Sequence, residues 1–365
     1  MKIIMKVPKI LTLFAFLTFY AFSTLVAQEK YVHLMGSTEK NLAVSVDLII
    51  NGQKASGFLH TGLESPIAVN GELIDTDSLV LYRELTDKIL ITYRLDANGK
   101  ITGKWSDEND SQTIELSESY PEGTQQFMVS AVSSVQPLVD ATDSPIAVFN
   151  SCIVIPEKSL NKNIADKFQA LLYSNFFRTS TVLDSKTMLQ NEQSAYFDQY
   201  RSKNIDINSP ENYPMLNWEK RKVTSIVYNA SDIVSLQYQD YTYTGGSAAL
   251  EISRYLVFDF SSNHQIKLQD LFPEENQSKV SKKIKEAICL NLNLDTSTNL
   301  KNNGFFSNEV FVSDNFYLTG YGIGFHYNTY ELAGQETGPI SVFLPFDSLQ
   351  GLLSESDIFE RITAK

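Results

Sequence analysis

The sequence predicts a chain that is mainly β and then α+β: an amino-terminal antiparallel β-meander or barrel, followed by an antiparallel sheet covered by helices. Three observations carry this. Short alternating apolar segments broken by Asn-Gly dipeptides fill residues 31 to 132. A helical period first appears after Ser159, and strand patterns then return from Val223 to Leu344 around one amphipathic helix. Strands and helices that follow one another in blocks belong to α+β architectures.

In the first block, Leu42–Ile50, Ser78–Tyr82, Lys88–Tyr93 and Thr113–Leu116 read as strands. Asn51-Gly52, Asn70-Gly71 and Asn98-Gly99 supply the positive φ of type I′ turns and so mark hairpins. The runs Gly57–His60, Asn70–Leu73, Leu79–Glu84 and Gly99–Trp105 loosely resemble a small β-domain of secreted bacterial proteins. Tyr82, Tyr93 and Trp105 are either core aromatics or the lining of a ligand cavity, the latter making a small-ligand carrier. Residues 133–145 are polar, hold Pro137 and lack periodicity, which makes them the expected linker between units at 28–132 and 146–365.

Past that boundary, Ile146–Phe149 and Cys152–Ile155 look extended. Leu160, Ile164, Phe168, Leu171 and Leu172 then share one helical face, and Gln190–Tyr200 forms a second helix. Val223–Asn229, Ile233–Tyr238 and Glu251–Phe260 are strands. Asp270 to Glu275 starts a helix with Pro273 in its first turn, and Val280, Ile284, Ala287 and Ile288 form its buried stripe. Phe316–Leu318, Gly322–Tyr327 and Ile340–Leu344 complete the sheet, and Phe346–Leu353 is a last short helix.

Composition points to export. Residues 1–27 have a basic start in Lys2, Lys6 and Lys9, an apolar run to Val26 and a small residue at Ala27, the pattern of a cleaved signal peptide; a retained anchor is the competing reading. The expected location is the periplasm or the cell exterior, with no membrane span after cleavage. Cleavage takes away three Lys and no acid, moving the formal charge from −13 to −16. Such a surface repels nucleic acid and attracts cationic partners.

Motifs of chemistry are missing where they would be expected. His33, His60, His264 and His326 form no HExxH pair, so no metal or other cofactor is expected. Ser37 and Lys40 have the SxxK spacing of penicillin-binding proteins, but the segment leads into a strand and chance explains it. Asp107-Glu108 and Glu274-Glu275 sit at loop or helix-start positions, where carboxylates are solvated. Cys152 and Cys289 leave two readings open, a disulfide in an exported chain or two buried thiols.

Three ordered motifs lie between about Val148 and Leu353: Tyr241, Tyr243, Thr244, Gly245, Gly246 and Ser247; then Phe258-Asp259 with Leu268, Asp270, Leu271 and Phe272; then Tyr330, Gly338 and Val342–Phe346. On these residues the segment resembles the extracytoplasmic RsiV-type domain of unknown function, found in a lysozyme-binding anti-sigma factor and in many exported bacterial proteins. Ala248 stands where the family often has His, and Ser261–His264 replaces its usual Thr-Gly-Lys turn. The resemblance implies a non-catalytic binding protein with Tyr241, Tyr243, Thr244, Gly245, Gly246 and Tyr330 as candidate contacts. Its implied partner is a cationic protein such as a lysozyme, or a cell-wall glycan. A cell-wall hydrolase or accessory enzyme, its residues drawn from separate loops, is the competing class. For the glycines there is also a structural role, a close approach or bend after a strand.

Overall fold

A computed structural model describes residues 29–62, 65–74, 78–83, 89–95, 100–107, 110–157, 161–181, 183–207 and 209–363. The signal segment and the Asn98-Gly99 turn lie outside these residues. Strands β1 (Glu29–Thr38), β2 (Ala43–Asn51), β3 (Lys54–His60), β4 (Ile67–Leu73), β5 (Ser78–Arg83), β6 (Ile89–Leu95), β7 (Lys100–Asp107) and β8 (Asp110–Glu118) pair in sequence order, and β8 returns to pair with β1. The meander is therefore a closed barrel. Ser37 and Lys40 fall on β1 and the turn after it, a setting without the helical face that SxxK chemistry needs.

Strand alternation fills the barrel with aliphatic side chains: Val44, Val46 and Leu48 from β2, Leu59 from β3, Leu79 and Leu81 from β5, with Trp105 among them. Trp105 is thus a packed core residue. Tyr82 follows Leu81 and so points to the outer wall, while the side chain of Tyr93 lies outside the described residues. An interior ligand cavity lined by all three is overturned by this pleat. Asn51-Gly52 does turn a hairpin, with Gly52 at φ 64°. Asn70-Gly71 does not: it lies inside β4, where a Cβ on Gly71 would stand 2.3 Å from the Val80 carbonyl oxygen. That glycine serves close strand approach rather than a turn.

The second unit starts earlier than its polarity indicates. Residues 133–137 end strand β9 (Phe127–Pro137), which forms a hairpin with β10 (Ile146–Pro156), so the chain leaves the barrel through residues 119–126. Ser144 organises the hairpin turn, its hydroxyl accepting from the Leu138 and Val139 amides, which is why a polar, aperiodic stretch is ordered here.

Helices α1 (Lys162–Leu172) and α2 (Ser185–Asn204) follow. They carry the chain to β11 (Trp218–Ala230), which pairs parallel with β10; the other pairings of this sheet are antiparallel. Antiparallel β12 (Ile233–Tyr243), β13 (Leu250–Asp259) and β14 (His264–Ile266) extend it to six strands in the order β14-β13-β12-β11-β10-β9. The short α3 (Leu268–Leu271) and the amphipathic α4 (Gln277–Asn291) come next. Val280, Ile284 and Ile288 of α4 are buried, with Ala287 packed beside them. Instead of completing the large sheet, β15 (Phe316–Leu318), β16 (Gly322–Tyr327) and β17 (Ile340–Pro345) form a separate three-stranded sheet. A 3-10 turn at Phe346–Leu349 and helix α5 (Asp357–Thr363) close the described chain.

The six-stranded sheet has two differently covered faces. On one, Lys222 of β11 pairs with Glu192 of α2, and Tyr238 of β12 stacks on Phe176 at 4.8 Å. On the other lie the barrel and the three-stranded sheet, the latter tied on where the Ser235 hydroxyl donates to the Leu318 carbonyl and accepts from its amide. Cys152 and Cys289 are free thiols buried in different cores, which decides between the two readings of the pair. Burial pushes the Cys152 thiol up to about 12, the Glu29 carboxylate adding to it. A neutral thiol of this kind is an inert packing group.

Candidate functional site

Where the barrel wall meets the sheet, two contiguous clefts of about 230 and 810 Å³ open along β11. They share Ser56, Asn70, Arg221 and Val223. Period-two alternation puts outward-facing barrel residues opposite one face of the sheet: Ser56 and Asn70 from the barrel; Arg221, Val223, Gln237, Gln239 and Tyr241 from the sheet. The lining is rich in amides and hydroxyls, and its charges, among them Lys54, Glu72, Arg221 and Glu251, are mixed in sign.

Tyr241 pairs with Arg221 across the β11–β12 ladder, and the Arg221 guanidinium stands 4.3 Å from the tyrosine ring centre. Such stacking fixes both side chains while leaving the planar edge of the guanidinium for hydrogen bonds. Its Nε reaches Glu219 at 3.1 Å. Of the six binding contacts expected from sequence, Tyr241 lines the cleft; Tyr82 on the outer barrel wall and Cys152 on β10 line its larger part. Tyr243 and Thr244 lie just beyond, at the end of β12 and in the turn after it. Gly245 has φ +81°, and a Cβ there would stand 1.7 Å from the Met215 carbonyl oxygen, so this glycine lets the turn press against the 3-10 segment Pro210–Leu216. Gly246 has open space around its Cα and no such requirement. Tyr330 lies elsewhere, exposed on the loop after β16 at φ 74°, its hydroxyl donating to the Gln335 side chain.

The remaining motif residues build architecture. Leu268, Leu271 and Phe272 are core, and Asp270 accepts from the Lys267 amide to cap α3. Asp259 takes both terminal nitrogens of Arg361 on α5, at 2.6 and 3.3 Å, and hydroxyls from Ser261 and Ser262. Burial pushes the Asp259 carboxyl up, but these donors outweigh it and hold it below the usual range.

Sequence reasoning missed a second polar cluster, at the docking line between barrel and sheet. Asp47 on β2, only 2% exposed, accepts from Tyr31 at 2.5 Å and contacts His33 Nδ1 at 2.8 Å. The Asn229 amide on β11 donates to the Tyr31 hydroxyl at 2.7 Å and to the Gln125 carbonyl. Nearby, His60 Nε2 lies 2.6 Å from the Val227 carbonyl oxygen. Val227 sits at the break in the β11–β12 register between Ile226 and Tyr228, where a bulge takes a carbonyl out of the ladder. A buried Asp on an otherwise alternating strand was the available signal.

Among the described residues, no three His, Cys, Asp or Glu side chains converge as metal ligands, and no helix is long and apolar enough to cross a membrane.

Residues 269–347, from within α3 to the 3-10 turn after β17, match the model of a protein family of unknown function, DUF3298. The crystal structure of a DUF3298 member from Bacteroides fragilis aligns with a TM-score of 0.58 at 17% identity, covering 67% of this chain and 100% of that one. A DUF3298 protein from Pseudomonas aeruginosa aligns at 0.43 and 16% identity, over 64% and 96%. No curated protein matches. The class these findings define is an α+β protein with a DUF3298-type segment, its fold shared with the Bacteroides protein; the narrower RsiV-type likeness goes beyond them.

Proposed function

We propose that this is an exported, non-catalytic binding protein that holds a cell-wall glycan in the cleft between barrel and sheet. The observation that carries the proposal is the lining itself: Asn70, Gln237 and Gln239 beside hydroxyl groups, with Tyr241 held under Arg221. Sugars present a rim of hydroxyls that amides satisfy in both directions, and an apolar ring face that suits an aromatic wall. Mixed charge in the lining avoids the strong single-sign field of a site built for a highly charged ligand. A second reading takes a cationic lysozyme-like protein as partner, supported by the RsiV-type resemblance and the formal charge of −13.

Calorimetric titration of the purified chain separates them. The glycan reading expects saturable binding of soluble peptidoglycan fragments that Tyr241→Ala weakens at least about tenfold, the cost of losing one well-placed aromatic contact. Absence of heat with such fragments would sink it. Lysozyme binding that collapses on adding salt would install the second reading instead.

A further inference from the structure

We propose that the His60–Val227 contact is a proton-sensitive latch that sets the opening of the barrel–sheet cleft. The geometry begins with the position of the polar cluster. Along β2, Ala43–Ser45 line one cleft of about 850 Å³, Asp47 belongs to the cluster, and Ile49 and Asn51 line the glycan cleft. Along β11, Tyr228 and Ala230 line the 850 Å³ cleft, Val227 and Asn229 alternate with them and belong to the cluster, and Arg221 and Val223 line the glycan cleft. The cluster is thus a line of attachment with a cleft on either side, and a barrel that loosens along it widens the space between the walls.

Two histidines lie on this line, and only one reports docking. His33 and Asp47 are both barrel residues, so their contact survives if the barrel moves as a body. His60 reaches across to the sheet. Its acceptor is a carbonyl, so Nε2 carries the hydrogen and the docked imidazole is held by one donated bond. The groups around it are Asp47 and His33 in the barrel, the Tyr228 ring 6.1 Å away on β11, and Tyr321 and Asp347 across the 850 Å³ cleft. Burial disfavours the charged imidazole and lowers its affinity for a proton, more than the Asp47 carboxylate and the Val227 carbonyl together restore, and a charged His33 adds repulsion. Undocking exposes His60 to water and returns its ordinary affinity. Protons therefore bind more tightly to the loosened form, and acidification below about pH 6.5 shifts the population toward it. The device is separate from the identity of the ligand.

Spin labels at Gln53→Cys and Ser133→Cys, on opposite walls of the larger part of the glycan cleft, read the opening directly in the ligand-free full chain. Cys152 lines the same cleft and is replaced by Ser in every labelled protein, whereas Cys289 is buried in the other core and remains unlabelled. The expected result is a label separation that lengthens and broadens between about pH 8 and about pH 5. His60→Gln, which keeps an N–H donor without a titrating group, makes the separation independent of pH, while His33→Gln removes the repulsion from a charged His33 and leaves a weaker opening on acidification. A separation that stays constant with pH in the labelled native sequence overturns the latch whether or not His60→Gln folds. So does a His60→Gln protein that opens as the native sequence does, or a response abolished by His33→Gln.

Discussion

Asp259 and Asp47 are both about 2% exposed, and the chain neutralises them in opposite ways. Asp259 faces Arg361, whose charge is permanent, and the ring of Ser261 and Ser262 donors completes its shell. Asp47 faces Tyr31 and His33, of which the second holds its charge only below a certain pH. The first arrangement pins α5 to the end of β13, where nothing needs to move. The second sits beside the seam between barrel and sheet, with a cleft on each side. The comparison teaches that the stability a buried carboxylate contributes depends on pH near neutrality only where its partner cation titrates there.

The sharpest way to break this contrast is to delete each acid. Asp259→Ala takes from Arg361 its closest carboxylate, leaving it Asp357 and the Ser231 carbonyl, loosens α5, and costs about 3 kcal/mol of unfolding free energy by denaturant titration. Its contribution is expected across neutral pH. Because the folded carboxyl lies below its ordinary value, that stability disappears only as pH falls through the folded value.

Asp47→Ala has the next largest effect, about 2 kcal/mol, since Tyr31 and His33 each lose their buried acceptor. Here the pH dependence runs the other way. Burial pushes His33 down, but the Asp47 carboxylate outweighs it, so the imidazole is raised above 6.5 when folded. Its stabilisation is complete below the unfolded value and is lost as pH rises through the folded one. Stability curves of native and Asp47→Ala protein that stay parallel from about pH 6 to about pH 9 would contradict the assignment.

The smallest expected effect is at Gly245, where Gly245→Ala costs about 1–2 kcal/mol through the left-handed backbone and the Met215 carbonyl. Gly246→Ala is the matched control and is expected to change the thermal midpoint little, because its Cβ would point into open space. Equal effects at the two positions would undo the structural reading of the first glycine.

Much of this architecture was legible one element at a time. The strand at Leu42–Ile50 and the stripe Val280, Ile284 and Ile288 were visible because strand and helix periods are local properties of the sequence. Gly71 was misread because an Asn-Gly dipeptide also suits a strand pressed against its neighbour, and only the Val80 carbonyl distinguishes the two. Of the candidate contacts, Tyr241 reached the cleft. Gly245 was equally prominent in sequence and turned out to hold backbone against backbone.

By itself, the sequence determined the β-then-α+β order, the acidic character and the Asp259-containing motif, all written in residues near one another along the chain. Tertiary structure decided the rest: that the meander closes with β8 on β1, that the two thiols never meet, and that Tyr31 finds Asn229 from 198 positions away. The physical reason is that a buried polar group specifies only that it needs a partner. Which partner it receives depends on how barrel and sheet pack, and that packing is driven by non-directional burial of apolar surface.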